Sequence, residues 1–216
     1  MKKRIFITAT NTDVGKTYTT KLLLKEYAAR GHKVGVIKPV ETGVVDGRYP
    51  DGDELYSLVC ELNPAFKQLS VEDIVPLSYE LPAAPFIASG GEKFAVQRVM
   101  SAIEKLEDLC DILLIEGAGG VLVPLDEELM VLDLIVQTKS TALLVTHCSL
   151  GCINDTLLSK KALQDASIAH AVVFNCKKEE NERFEVVSRP YFDAKKWDVL
   201  KTNKDIDTLC DVLYNL

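Results

Sequence analysis

Apolar residues fall along this chain in two rhythms. Short continuous runs occur at residues 4–8, 33–37, 111–115, 141–146 and 171–175, the pattern of strands buried on both faces of a parallel sheet. Between them the spacing turns helical. Leu22, Leu23, Tyr27 and Ala28 share one face after the first run, and helical spacing returns over 53–62, 96–109, 132–138, 154–166 and 206–213. The charged stretch 177–189 predicts a surface turn and a helix, and 197–201 a last edge strand. Residues 44–53 are rich in Gly, Asp and Pro and read as a surface excursion, while 76–91, with Pro82, Pro85, Gly90 and Gly91, reads as a loop. Strands alternating with helices predict an α/β fold: a parallel sheet flanked by helices, in a single domain spanning 1–216.

Composition narrows what such a fold can serve. With 47% hydrophobic residues among 216, a chain of this length buries roughly 70% of its unfolded surface. The formal charge of −7 argues against a broad basic face for nucleic acid, and Lys160 and Lys161 read as solvated helix surface. The opening MKKRIFITAT is basic then apolar, but its apolar run is too short for a signal peptide and no small-residue cleavage site follows. No stretch has the length of a membrane-spanning helix. The expectation is a cytoplasmic protein with neither nucleic acid nor membrane as partner. Cys60, Cys110, Cys148, Cys152, Cys176 and Cys210 contain no C-x-x-C pair and are expected as buried, reduced thiols. His147, Cys148 and Cys152 lack the second ligand pair that a structural zinc site needs.

In open parallel sheets ligands bind beyond the carboxyl ends of strands, so the polar residues after each apolar run should converge. After the first run stands TATNTDVGKT, residues 8–17. In a phosphate loop of this kind successive N–H groups curl around phosphate oxygens while the helix start adds its positive end. Gly15, Lys16 and Thr17 match the motif's tail: Lys16 neutralises the terminal phosphates and Thr17 offers its hydroxyl to Mg²⁺. A Gly-Lys-Thr tripeptide also arises by chance in strand-to-helix turns, but the strand before and the helix after favour the functional reading. The motif's first glycine is replaced by Thr10, with Ala9 before it. Left-handed backbone costs an alanine roughly 1 kcal/mol, so Ala9 is expected at negative φ, with Gly15 taking the unusual conformation.

Glu116 closes the third apolar run, where a carboxylate needs a cation or a firm hydrogen-bond partner. Mg²⁺ prefers near-octahedral oxygen coordination, which Glu116, Asp53, Thr17 and a nucleotide would supply. Read singly, Glu116 is a cap acid beside a Gly-rich turn and Asp53 an exposed helix N-cap. Gly117, Ala118 and Gly119 let backbone approach a ligand. Lys38 alone would be a solvated lysine; beside a phosphate site it becomes a second positive charge for a transferring phosphoryl group or a carboxylated substrate. Leu150, Gly151, Cys152, Ile153 and Asn154 precede a helix whose free N–H groups make either an anion pocket or a plain capped start.

Together, TNTDVGKT at 10–17, KPVETG at 38–43, Asp53, EGAGG at 116–120 with Pro124 after it, and LGCIN at 150–154 resemble dethiobiotin synthetase, a P-loop NTPase-like family, over most of the chain. The resemblance implies an ATP- and Mg²⁺-dependent ring closure. In it 7,8-diaminononanoate captures CO₂ (or bicarbonate) as a carbamate, the carbamate is phosphorylated, and the second amine closes the ring to dethiobiotin, with ADP and phosphate released. It implies a metal set of Thr17, Asp53 and Glu116, and phosphates cradled by Asp13, Val14, Gly15, Lys16, Thr17 and Tyr18. Lys16 and Lys38 would stabilise carbamate and phosphoryl charge, Thr42 would contact substrate, and Asn175 matches a base-proximal asparagine. The LGCIN turn would receive the substrate's carboxylate across a homodimer interface. The chain departs from the family's pattern at Ala9, at Asp13 where glutamate is usual, and at residues 82–85, Pro-Ala-Ala-Pro, where hydroxyls are usual. It also lacks a Gly-x-x-Pro segment after the last strand. The alternative from another class is a nucleotide-switch ATPase of the partitioning or cell-division type. Such switches carry an additional lysine early in the loop, absent from 9–14, and often a basic amphipathic tail, unlike the acidic DIDTLCDVLYNL here.

Overall fold

A computed structural model describes residues 2–216. The first apolar run forms β1 (Lys3–Ala9), and residues 10–15 turn the chain into α1 (Lys16–Ala29). β2 (Val34–Ile37), a short β3 (Val40–Thr42), α2 (Gly52–Leu62), a 3₁₀ turn at Pro64–Gln68 and α3 (Val71–Ile74) follow. Next come β4 (Leu77–Tyr79), α4 (Pro85–Ala88), α5 (Val96–Glu107), β5 (Ile112–Glu116), α6 (Val131–Thr138) and β6 (Thr141–His147). The chain finishes with α7 (Cys152–Asp165), β7 (His170–Asn175), α8 (Lys178–Val187), α9 (Arg189–Ala194), β8 (Leu200–Lys201) and α10 (Ile206–Asn215).

Six strands form one parallel sheet in the order β2-β5-β1-β6-β7-β8. Every residue of β2 and β5 is buried, as strands covered by helices on both faces require. α1 buries Leu23, Leu24 and Tyr27 with Thr19 and Thr20, so Leu24 takes the place expected of Leu22, which is only half-buried. The Tyr27 hydroxyl donates to the Cys210 carbonyl at 3.0 Å and ties α1 to α10.

Two features depart from the sequence pattern. Segments 38–43 and 76–79, expected as loop, contain β3 and β4, which pair in parallel as a second, two-stranded sheet from Val40↔Leu77 to Thr42↔Tyr79. Three-residue strands are too short to show a rhythm. Their pairing ties the segment bearing Thr42 to the one leading into Pro82. Second, six reduced thiols were expected, but Cys148 and Cys176 are joined in a disulfide, while Cys60, Cys110, Cys152 and Cys210 are free. The cause is register: His147 of β6 pairs with Asn175 of β7, so the next residue of each strand meets its counterpart. Among the described residues no helix is long and apolar enough to cross a membrane.

Candidate active site

β1 ends in Ala9, which is not among the residues at positive φ, and the Thr10 N–H donates to the Val145 carbonyl at 3.0 Å. The left-handed positions of the loop are Gly15, at φ 97°, and Asp13, at 57°. Aspartate tolerates that region better than most residues with a side chain, so the loop's turn is shared where Gly15 alone was expected to make it. A Cβ added to Gly15 would lie 2.0 Å from Asn175 Nδ2. That same nitrogen donates to the Val14 carbonyl at 2.9 Å. The asparagine which the resemblance puts near a base therefore clasps the phosphate loop from the end of β7.

On the other flank a polar cluster joins four elements. Thr17 Oγ1 at the head of α1 lies 2.8 Å from Glu116 Oε1 and 3.0 Å from Asp51 Oδ1. The Lys38 ammonium, 4% exposed, donates to Glu116 Oε1 at 3.0 Å and also to Asp51 Oδ2. Thr20 Oγ1 donates to Glu116 Oε2 at 2.7 Å, which gives the fully buried Glu116 carboxylate partners on both oxygens. Burial opposes the charge on Lys38, but Glu116 and then Asp51 outweigh it and hold the ammonium pKa above its ordinary value. For Asp51 burial pushes upward, while Lys38 and the Thr17 hydroxyl pull harder and set its pKa below the ordinary carboxylate value. Lys16 is lowered, chiefly by burial, against the pull of Glu116.

Asp53, the expected third acid, is not in this cluster. α2 begins at Gly52, so Asp51 stands at the N-cap facing the strand ends, and Asp53, two helical steps of about 100° further on, points elsewhere. Asp53 Oδ2 accepts the Tyr49 N–H at 2.9 Å and is solvent-exposed. Asp51 is set in place by Glu41, a residue that sequence reasoning passed over, whose carboxylate accepts the N–H groups of Asp51 and Gly52 at 2.5 and 3.0 Å. Burial pushes the Glu41 pKa up against those two bonds. The signal for Asp51 was present as an Asp-Gly pair immediately before a helical pattern.

A cavity of about 650 Å³ opens over this cluster, lined by Asp13, Gly15, Lys16, Thr17, Tyr18, Lys38, Thr42, Asp51 and the run 117–119. Pro82, Ala83, Ala84 and Pro85 form its apolar wall. Val14 is buried in the loop behind it. Leu150, Gly151, Cys152, Ile153 and Asn154 do not line this cavity; Leu150 is 69% exposed and Cys152 is buried. They open α7 beside a second cleft of about 300 Å³, lined by residues 11–14 with His147, Ser149, Asp155, Asn175 and Lys177. There Ser149 Oγ lies 2.5 Å from His147 Nδ1, and His147 Nε2 lies 3.0 Å from Asp155 Oδ2.

Thr17 has one hydroxyl proton for two carboxylate oxygens, so Thr17, Asp51 and Glu116 crowd oxygen lone pairs around one point. This is the donor set that a hard, oxygen-seeking cation such as Mg²⁺ takes up together with nucleotide phosphates. Among the described residues no three His, Cys, Asp or Glu side chains gather into a metal cage.

Residues 3–212 match the family model described as an AAA domain. An ATP-dependent dethiobiotin synthetase from Sulfurovum sp. is 46% identical over 190 residues, which span 88% of this chain and 90% of that protein. The chain belongs to the dethiobiotin synthetase family. A second dethiobiotin synthetase, from Wolinella succinogenes, is 34% identical over 213 residues, 98% of each chain. Dethiobiotin synthetases are ATP-dependent ligases that form carbon–nitrogen bonds, and this chain is one of them. Among solved structures the MinD cell division protein of Aquifex aeolicus aligns with 97% of this chain and 86% of its own, at a TM-score of 0.53 and 15% identity. That likeness establishes the P-loop NTPase fold alone, shared between dethiobiotin synthetases and the switch ATPases.

Proposed function

We propose that this dethiobiotin synthetase joins CO₂ to 7,8-diaminononanoate in a Mg²⁺- and ATP-dependent ring closure, releasing dethiobiotin, ADP and phosphate. The observation that carries the reading is the meeting of Lys16, Lys38, Asp51 and Glu116 beside a phosphate loop, in a chain of this family. The nucleophiles, two amines and a carbamate oxygen, all belong to the substrate, so the protein's task is positioning and charge stabilisation more than proton abstraction. One amine takes up CO₂ as a carbamate. A carbamate oxygen attacks the γ-phosphorus with ADP leaving, and the second amine then displaces phosphate at the carbamoyl carbon. Lys16 faces the terminal phosphates from the loop, and Lys38 stands where carbamate and phosphoryl charge develops. Bound Mg²⁺ supplies charge neutralisation at the phosphates; Thr17, Asp51 and Glu116 would hold it. Thr42 is a substrate contact on the cavity wall. The turn of Leu150, Gly151, Cys152, Ile153 and Asn154 serves the cavity of a second copy, receiving the substrate's carboxylate across a homodimer; its exposure away from its own cavity supports this. Residues 1–216 act as one domain, in the cytoplasm.

The test is turnover by the purified protein. ATP hydrolysis is expected to be negligible until diaminononanoate and bicarbonate are both supplied, and then to release dethiobiotin with stoichiometric phosphate. Strong hydrolysis with neither, or hydrolysis that depends on another protein, would overturn the ligase in favour of a nucleotide switch. Competition among ATP, GTP and CTP in the same assay reads the base preference.

A further inference from the structure

We propose that Cys148 and Cys176 form a reversible thiol–disulfide modification site whose oxidation state sets the grip on the phosphate loop. The pair lies where β6 and β7 run out of the sheet, one residue beyond the His147↔Asn175 pairing, with the Cα atoms 4.9 Å apart. The residues just before the cysteines reach the loop's outer face and the turn beside it. Asn175 Nδ2 holds the Val14 carbonyl at 2.9 Å, and His147 bridges Ser149 and Asp155. The disulfide splices these two segments, so that the clasp on Val14 is backed by the turn that opens α7.

Both cysteines are buried and neither lines a cleft, but their chain neighbours do. The 300 Å³ cleft is lined by residues flanking both cysteines, His147 and Ser149 on one side, Asn175 and Lys177 on the other. Cys176 is the more accessible of the two, 8% exposed against 2% for Cys148. Among the described residues Lys177 is the one cation in a cleft that also carries Asp13, Asp155 and Glu180, so a neutral dithiol approaches more readily than an anionic one. Cys110 and Cys210 are poor rivals: burial first of all pushes their thiols up to about 12, which leaves almost no thiolate near neutral pH. With a dithiol as reductant the step balances. Its thiolate attacks Cys176 Sγ, the S–S bond breaks, and Cys148 leaves as thiolate and takes a proton. The second thiol of the reductant then attacks the mixed disulfide, releasing Cys176 as thiolate, which is protonated in turn, and closing the reductant's own disulfide. Two electrons and two protons pass to the protein. Reduction leaves the two segments joined by the β6–β7 ladder alone, and the Asn175 clasp loses the backing of the crosslink one residue beyond it.

Thiol counting and nucleotide binding test this without relying on the ring-closure assay. Alkylation in denaturant followed by mass spectrometry is expected to find four free thiols of six in the protein as isolated under air, and six after dithiothreitol treatment under native conditions. Calorimetry with ATP is expected to show binding about fivefold weaker after reduction, the scale of one net hydrogen bond. ATP should in turn slow the reduction, because coupling between sites is reciprocal. A Cys148→Ser, Cys176→Ser double variant should bind ATP like the reduced protein and ignore dithiothreitol; Cys148→Ala alone serves if the double variant does not fold. Six free thiols before any reductant, a disulfide that dithiothreitol opens only in denaturant, or equal ATP affinity in the two states would each overturn the proposal.

Discussion

On one flank of the phosphate loop Lys38 is held between Asp51 and Glu116, and Thr17 and Thr20 of α1 complete the hydrogen bonding of the buried carboxylate. On the other flank the Val14 carbonyl is held by a neutral carboxamide, and a hydroxyl, an imidazole and a carboxylate line a shallow cleft beside a disulfide. The first flank concentrates charge in a buried place, where it is strong because water is excluded. The second carries its charges, Asp13, Asp155, Lys177 and Glu180, on the wall of an open cleft where solvent screens them, and holds the loop through a neutral contact. We read the difference as a division of labour, in which the β2–β5 side would serve phosphoryl chemistry and the β6–β7 side would keep the form of the loop.

The sharpest way to break this comparison is Lys38→Ala. Turnover should fall by roughly 100-fold or more, the scale of losing one fixed charge at the transition state, while calorimetry still registers nucleotide binding. The variant also leaves Glu116 buried without its cation, a loss of about 3 kcal/mol for a buried pair; Asp51, whose side chain is 40% exposed, contributes less because solvent screens it. Retained turnover would remove Lys38 from the catalytic set. Gly15→Ala attacks the other flank. It adds roughly 1–2 kcal/mol of left-handed strain and drives a methyl into Asn175, so ATP affinity should drop while the fold, followed by circular dichroism, persists. Unchanged affinity would mean that the Asn175 clasp does not shape the loop.

A smaller effect separates two acids. Asp51→Asn should lower Mg²⁺-dependent turnover, and Asp53→Ala should leave it unchanged; the reverse would return Asp53 to the site. Asp51 also predicts a pH dependence. Its folded pKa is depressed, so its contribution to stability is present above the ordinary value of 3.8 and is lost as pH falls through the lower folded value. Lys38 is raised, so its contribution is complete below 10.5 and is lost as pH climbs through the higher folded value. Acid titration of unfolding should show a flatter acid limb in Asp51→Asn than in the wild type. The smallest effect is expected at Thr8, between the two flanks. Its hydroxyl is fully buried and, among the described residues, is the buried side-chain polar atom without a partner. Thr8→Val should stabilise the protein by about 1 kcal/mol in denaturant unfolding, because an unmade hydrogen bond costs more than an absent one.

The charged flank was largely legible in the sequence, because Lys16, Lys38 and Glu116 each follow an apolar run and a parallel sheet delivers such residues to one edge. The sequence pattern points to Asp53 while the structure brings Asp51 to Lys38 and Thr17, because a helix start read from sequence is uncertain by a residue or two and that margin decides which carboxylate faces the strands. Glu41 looked like one more polar residue in a loop, since only the β3–β4 pairing reveals that its segment is a strand aimed at the start of α2. The second flank was hardly legible. The partners there lie far apart in sequence, Cys148 with Cys176 and Val14 with Asn175, and strand register rather than local pattern brings them together.

The central place of β1 also governs how the protein comes into being. Lys3 pairs with Ile112 and Ile5 with Thr141, so the strand that launches the phosphate loop is synthesised long before either neighbour. During translation the loop leaves the ribosome with no sheet on either side and no Glu116 or Asn175 to shape it. Nucleotide therefore cannot serve as a template for the early chain. Its stabilising effect begins only once residues beyond 147 are available, which makes assembly a late, long-range event of the slow kind that non-local pairing imposes.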